Sequence, residues 1–244
     1  MRFTNIASSY FRFAMKRLRK FLLIFFILLA AGAAVVWFSP LRAYLPGKLT
    51  MRFTEAEYRQ ACEAVKQDAR KAEGKMRRKV LREAISVRLF NYWEGTRWGF
   101  HGTTEVPGTG KIACGYFVTT VLRDCGVPLQ RATLAQLASE QMIKKLVEEK
   151  NISRFSKIPI TEFVKTIRSK GNHVYVVGLD THTGFLVCEN GEVSFIHSSG
   201  AYPWTVVKER AEESVVLSKS NYRIAGCLTA DEEFMERWVI ALQN

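Results

Sequence analysis

The stretch 182-HTGFLVCENGEVSFIHS-198 holds two runs rich in β-branched and aromatic residues, joined by Asn190-Gly191. An Asn-Gly pair between such runs is the strongest short hairpin signal, because a two-residue turn needs positive φ at both central positions. The turn sets the register: Glu189 faces Glu192, Cys188 faces Val193, Leu186 faces Phe195 and Gly184 faces His197. Side chains alternate along a strand, so His182 shares a face with Gly184. It is therefore the diagonal neighbour of His197, at about 7–8 Å between backbones, and Gly184 leaves room for the two imidazoles to meet.

The same face continues as Leu186, Cys188, Val193 and Phe195, an apolar patch that a helix could cover. Upstream, 110-GKIACGYFVTTVLRDCGVP-128 offers one. A glycine-rich loop gives way at Cys114 to an apolar stripe of Phe117, Val118, Val121 and Leu122, and Gly126 and Pro128 end it after Cys125. Docking of this stripe on the hairpin patch would bring Cys114 toward His182. A thiol at a helix N-terminus has its thiolate favoured by unpaired N–H groups, and a neighbouring imidazolium lowers its pKa further. The expected constellation is Cys114 as nucleophile, His182 as general base and His197 as the group that orients the base. Gly110 and Gly115 would let a ligand approach the backbone. Cys62, Cys125, Cys188 and Cys227 read as core thiols, and His173, at the head of a strand, as a surface or hydrogen-bonded histidine.

Around this centre the chain changes character once. Residues 54–93 are rich in Ala, Glu, Lys and Arg and open on Thr54 and Glu57, a capping-box pair, so they read as one long helix or two meeting near Gly74. Leu81, Ala84, Ile85 and Leu89 recur at helical spacing and should dock on the globular part, while the more polar first half reads as a spacer. Residues 94–110 carry five glycines and a proline and form a loop; His101 in it could line a cleft. Helices are expected near 133–150, 161–170 and 231–242, and further strands at 173-HVYVVGLD-180 and 222-YRIAGCLT-229. Helices followed by a largely antiparallel sheet make an α+β fold.

The N-terminus is of another kind. Residues 21–38, FLLIFFILLAAGAAVVWF, are uncharged and mostly apolar, at the lower end of what a helix needs to cross a bilayer. Six basic residues precede them (Arg2, Arg12, Lys16, Arg17, Arg19 and Lys20), with no acid in the first forty positions. The positive-inside rule keeps that cluster in the cytoplasm and exports the chain beyond Ser39, giving a single-pass protein of the inner membrane. A cleaved signal peptide is the alternative, since AAGAA offers small residues, but the apolar run outlasts a usual signal core. Of the net charge of +13, six lie before this run, leaving +7 for the exported part. An envelope location argues against nucleic acid as a partner, and groups such as Lys75, Arg77, Arg78, Lys79 and Arg82 are better matched to water, anionic lipid or an anionic wall polymer. Five cysteines leave at least one thiol unpaired, and no spacing of Cys or His suggests a metal site or any cofactor.

The order of these features resembles the NlpC-type papain-like cysteine peptidases of bacterial cell walls: a cysteine opening a helix, His-x-Gly opening a strand, a hairpin, then a second histidine on the return strand. The resemblance spans residues 98–199. It implies a nucleophile helix packed on an antiparallel sheet, and a Cys-His-His triad of Cys114, His182 and His197 that cuts peptide bonds in peptidoglycan stems. Where the family usually has Asp-Cys-Ser-Gly this chain has Ala113-Cys114-Gly115-Tyr116, and Trp98 stands where a tyrosine usually helps hold the oxyanion. Trp98, His101 and Gly115 are thus the expected substrate or oxyanion residues. The implied organisation is a cytoplasmic segment (1–20), a transmembrane helix (21–38), a juxtamembrane linker and helical segment (39–93) and a cysteine hydrolase-like domain (94–244). A thiol acyltransferase or transamidase of the same fold, and a binding module without activity, are the competing functions.

Overall fold

A computed structural model describes residues 53–243, so the expected cytoplasmic segment and transmembrane helix lie outside the described residues. Among the described residues no helix is long and apolar enough to cross a membrane. All of them belong to one compact unit.

Helix α1, Glu55–Lys71, starts with the expected capping box: the Glu57 N–H donates to Thr54 Oγ1 at 3.2 Å, and the Thr54 N–H donates back to Glu57 Oε2 at 2.7 Å. Each bond satisfies a donor that a helix start would otherwise leave unpaired. Helix α2, Gly74–Glu83, begins at a glycine with φ +46°, and the chain passes through a π-helical turn at Ala84–Arg88 into α3, Phe90–Trp93. Leu81, Ala84, Ile85 and Leu89 are all buried, as their spacing predicts.

The expectation of a polar spacer over the first half is corrected. Helix α1 buries Tyr58, Cys62, Val65 and Ala69 in the main core. Its Tyr58 hydroxyl accepts from Trp93 Nε1 at 2.7 Å and donates to Asp124 at 2.6 Å. One apolar residue per turn suffices to dock a helix whose other positions face water, and so sparse a stripe resembles a linker in sequence. The helices before Glu94 are thus part of the globular unit.

Helix α4, Cys114–Asp124, lies where the sequence places it. The single helix expected near 133–150 is instead two short ones, α5 (Arg131–Ala135) and α6 (Ser139–Leu146), followed by a 3₁₀ turn. Helix α7 covers Ile160–Ser169, α8 Val215–Lys219 and α9 Glu232–Gln243.

Six strands form one sheet: β1 (Ile152–Ser156), β2 (Val174–Leu179), β3 (Thr183–Glu189), β4 (Glu192–Ser198), β5 (Val206–Arg210) and β6 (Tyr222–Cys227). Their order is β1-β6-β2-β3-β4-β5, with every neighbouring pair antiparallel. The β3–β4 register is the one the turn dictates, Glu189 opposite Glu192 and Leu186 opposite Phe195, with φ of +51° at Asn190 and +83° at Gly191.

The sheet is covered on both faces. Phe117, Val118, Val121 and Leu122 of α4 share a core with Val174, Val176, Phe185, Val187 and Ile196. Leu186, Cys188, Val193 and Phe195 lie on the other face, under Phe163, Val164 and Ile167 of α7. Helix α4 therefore docks on the face opposite to the one expected.

Candidate active site

The two histidines meet as the register requires. His182 Nε2 and His197 Nδ1 are 2.8 Å apart, with the ring planes nearly perpendicular at 87°. Gly184 makes this possible, since a Cβ there would stand 2.8 Å from His197 Cβ and 2.7 Å from the Phe195 ring. His197 is fully buried and stacks on Phe195, with ring centroids 4.0 Å apart.

Cys114 is the first residue of α4 and the only one of the five free cysteines that is not fully buried. The backbone N–H groups of Thr183, Gly115 and Cys114 itself lie on the side that favours its thiolate. Thr183, the first residue of β3, directly follows His182. Cys114 thus opens its helix beside the start of β3, while the helix body packs on the face opposite to that of His197 and Phe195.

The electrostatics differ from the expected thiolate. Burial pushes the Cys114 thiol up, and the three N–H donors offset this only in part. Burial, with a contribution from the charge of His197, pulls His182 down to about 3. An imidazole that low is neutral at physiological pH, so the resting pair is a thiol and a neutral base.

Gly115 is buried, and its N–H favours the Cys114 thiolate. The space its side chain would occupy is filled by the Ala135 carbonyl of α5, so it permits close helix packing rather than approach of a ligand. The Trp98 indole lies over Gly200, just beyond β4, and the Trp98 N–H donates to the Trp204 carbonyl at 2.7 Å. The strand-like bridge of Trp98 to Ile112 holds this loop beside the start of α4. His101 is exposed and meets Phe100 edge to face, so the structure does not bring it to the histidine pair. His173 bonds Thr229 at 2.9 Å, away from this cluster. Cys62, Cys125, Cys188 and Cys227 are buried core thiols.

One member of the cluster is not evident from the sequence. Glu209 Oε1 lies 3.2 Å from His197 Nε2, extending the line of groups to a carboxylate. Glu209 pairs with Phe195 across β4 and β5, so the two share a face with His197. The signal is the run 206-VVKER-210, which becomes informative only once it is recognised as a strand.

Compared with models of known protein families, with curated proteins and with solved structures, the chain has no match.

Proposed function

We propose that this chain is a membrane-anchored thiol hydrolase of the cell envelope, with a papain-like, NlpC-type arrangement of helix and sheet. Its substrates are peptide bonds of peptidoglycan stems or a related amide. One observation carries the reading: Cys114 opens a helix beside the Thr183 backbone, and His182, the residue before Thr183, bonds the buried His197 at 2.8 Å. A solitary core thiol would have no such neighbours.

The chemistry rests on the protonation states. His182, neutral at rest, takes the thiol proton as the Cys114 sulfur attacks the carbonyl carbon; the transfer is uphill in the resting site, so it has to be coupled to formation of the C–S bond. The charge that develops on the carbonyl oxygen falls near the helix-start N–H groups of Cys114 and Gly115. His182 then returns the proton to the leaving amine, and a thioester remains on Cys114. Water attacks the thioester while His182 accepts its proton, and breaking the C–S bond frees the acid and restores the thiol.

The basic segment before residue 21 and the apolar run 21–38 support an inner-membrane anchor with the catalytic unit exported. A second reading, transfer of the acyl group to an amine rather than to water, is favoured by the exposed Phe100, Tyr202 and Trp204, which suit an apolar acyl donor.

The test uses membranes carrying the full chain, incubated with whole wall material, with products read by mass. Hydrolysis adds one water across a stem amide, and acyl transfer adds the acceptor instead. The Cys114→Ala protein should release neither product. Equal product from that variant would refute the reading.

A further inference from the structure

The line of groups does not end at the second histidine, and its far end decides the state of its near end. Glu209 stands on β5, two strands from β3. Burial pushes its carboxyl up, but the neighbouring His197 N–H, 3.2 Å away, and the nearby Ser214 outweigh this and hold it below its ordinary range. The carboxylate is thus an acceptor only. Ser214 caps α8, its oxygen accepting from the Leu217 N–H at 3.1 Å.

We infer that Glu209 is a positioning residue, which sets the tautomer of both histidines and so selects the nitrogen of His182 that acts as base. The inference rests on the thiol hydrolase reading for its consequence, though not for its geometry. Facing a carboxylate at 3.2 Å, His197 carries its hydrogen on Nε2. Held neutral by burial, it has one hydrogen only, so its Nδ1 presents a lone pair. At 2.8 Å from that lone pair, His182 Nε2 must be the donor. A neutral His182 with its hydrogen on Nε2 leaves Nδ1 unprotonated, free to take the thiol proton.

Without the carboxylate, His197 can hold its hydrogen on Nδ1 and donate to His182 Nε2. That places the His182 hydrogen on Nδ1, the wrong nitrogen for a base. Glutamine at position 209 can do this actively, because its amide can turn an N–H toward His197 Nε2.

The test reads the imidazole nitrogens by ¹⁵N NMR at neutral pH, in the otherwise native chain and in the Cys114→Ala background. In both, His182 should be protonated at Nε2 and bare at Nδ1. Glu209→Gln should move His182 toward the Nδ1–H form and lower kcat/KM by about 100-fold, while Glu209→Asp, which keeps the charge, should retain the native tautomer and recover part of the rate. The tautomer readout needs no turnover, so it stands or falls separately from the hydrolase reading. An unchanged His182 tautomer in folded Glu209→Gln would overturn the inference whatever the activity. An equal change in Glu209→Asp and Glu209→Gln would do the same, since charge would then not be the cause. A shifted tautomer in a chain that cuts no amide would overturn the hydrolase reading alone.

Discussion

The two faces of the sheet are packed from the same strands but by different rules. Toward α4 the sheet presents Val174, Val176, Phe185, Val187, Ile196, Val206 and Ile224, an apolar surface edged by the buried Thr183 and Ser198. Toward α7 it presents Tyr175, Val177, Leu186 and Phe195, then changes at one end to His182, His197 and Glu209. The first face buries few polar groups, Thr183 and Ser198 each bonded to a backbone carbonyl, whereas the second buries His197 and Arg223 with partners and leaves the Tyr175 hydroxyl without one among the described residues. Cys114 belongs to a helix of the first face and lies beside Thr183, the residue after His182. The difference teaches that one face is given over mainly to packing while the other holds the groups on which the proposed chemistry depends, with the start of β3 as their shared border.

The sharpest way to break this comparison is to separate chemistry from packing. Cys114→Ala is expected to reduce activity to background while leaving the melting temperature within a few degrees of wild type. Cys125→Ala, a change in the core under α4, should do the reverse: it keeps activity and loses stability. Equal loss of activity in both folded variants would mean that the division between the faces is misdrawn.

Next in size is the apolar face itself. Phe117 meets Trp93 and Phe185 edge to face, so Phe117→Ala should destabilise by about 3–5 kcal/mol. Urea titration measures this, and the loss should be the same at pH 5 and pH 8, because no titrating group adjoins the cavity.

Gly184→Ala tests the border. Its methyl group would press on both His197 and Phe195, costing about 1–3 kcal/mol, and would part the two imidazoles. Lost activity with only this modest loss of stability is expected. Full activity would show that the contact between the rings is dispensable.

The smallest effect concerns acid. An unfolded chain takes up a proton on His182 as the pH falls below 6.5, but the folded site resists until about 3. The unfolded state therefore binds more protons across that window, so stability is full above 6.5 and declines as the pH falls. His173 and His197 are also held low by burial and add in the same direction. His182→Gln should flatten this decline by at most about 1.4 kcal/mol per pH unit, as read from melting between pH 7 and pH 4. An unchanged slope would mean that His182 takes up its proton in the folded chain no later than in the unfolded one, and that it is not held neutral by the fold.

How much of this the sequence shows depends on the element. The hairpin register and the meeting of His182 with His197 are legible because Asn190-Gly191 permits one alignment. The face taken by α4 is not: Phe185 and Val187 are as apolar as Leu186 and Cys188, so alternation cannot say which face receives which helix. The edge strands β1 and β5 are also illegible, since Ile152–Ser156 and Val206–Arg210 are short and half polar, as edges that must avoid pairing with other chains tend to be. Glu209 sits on one of them and is hidden with it.

The place of β6 has a consequence for how the molecule is made. This strand is the last in the chain, yet it lies between β1 and β2. While the chain is being synthesised, β2 has an open side and β1 has no partner until Tyr222–Cys227 emerges. A nascent or truncated chain lacking these six residues therefore offers a hydrophobic strand edge to any neighbour, which is a template for aggregation. Completion of the sheet waits for β6, and any pause in translation between β2 and β6 prolongs the interval in which a chaperone has to shield that edge.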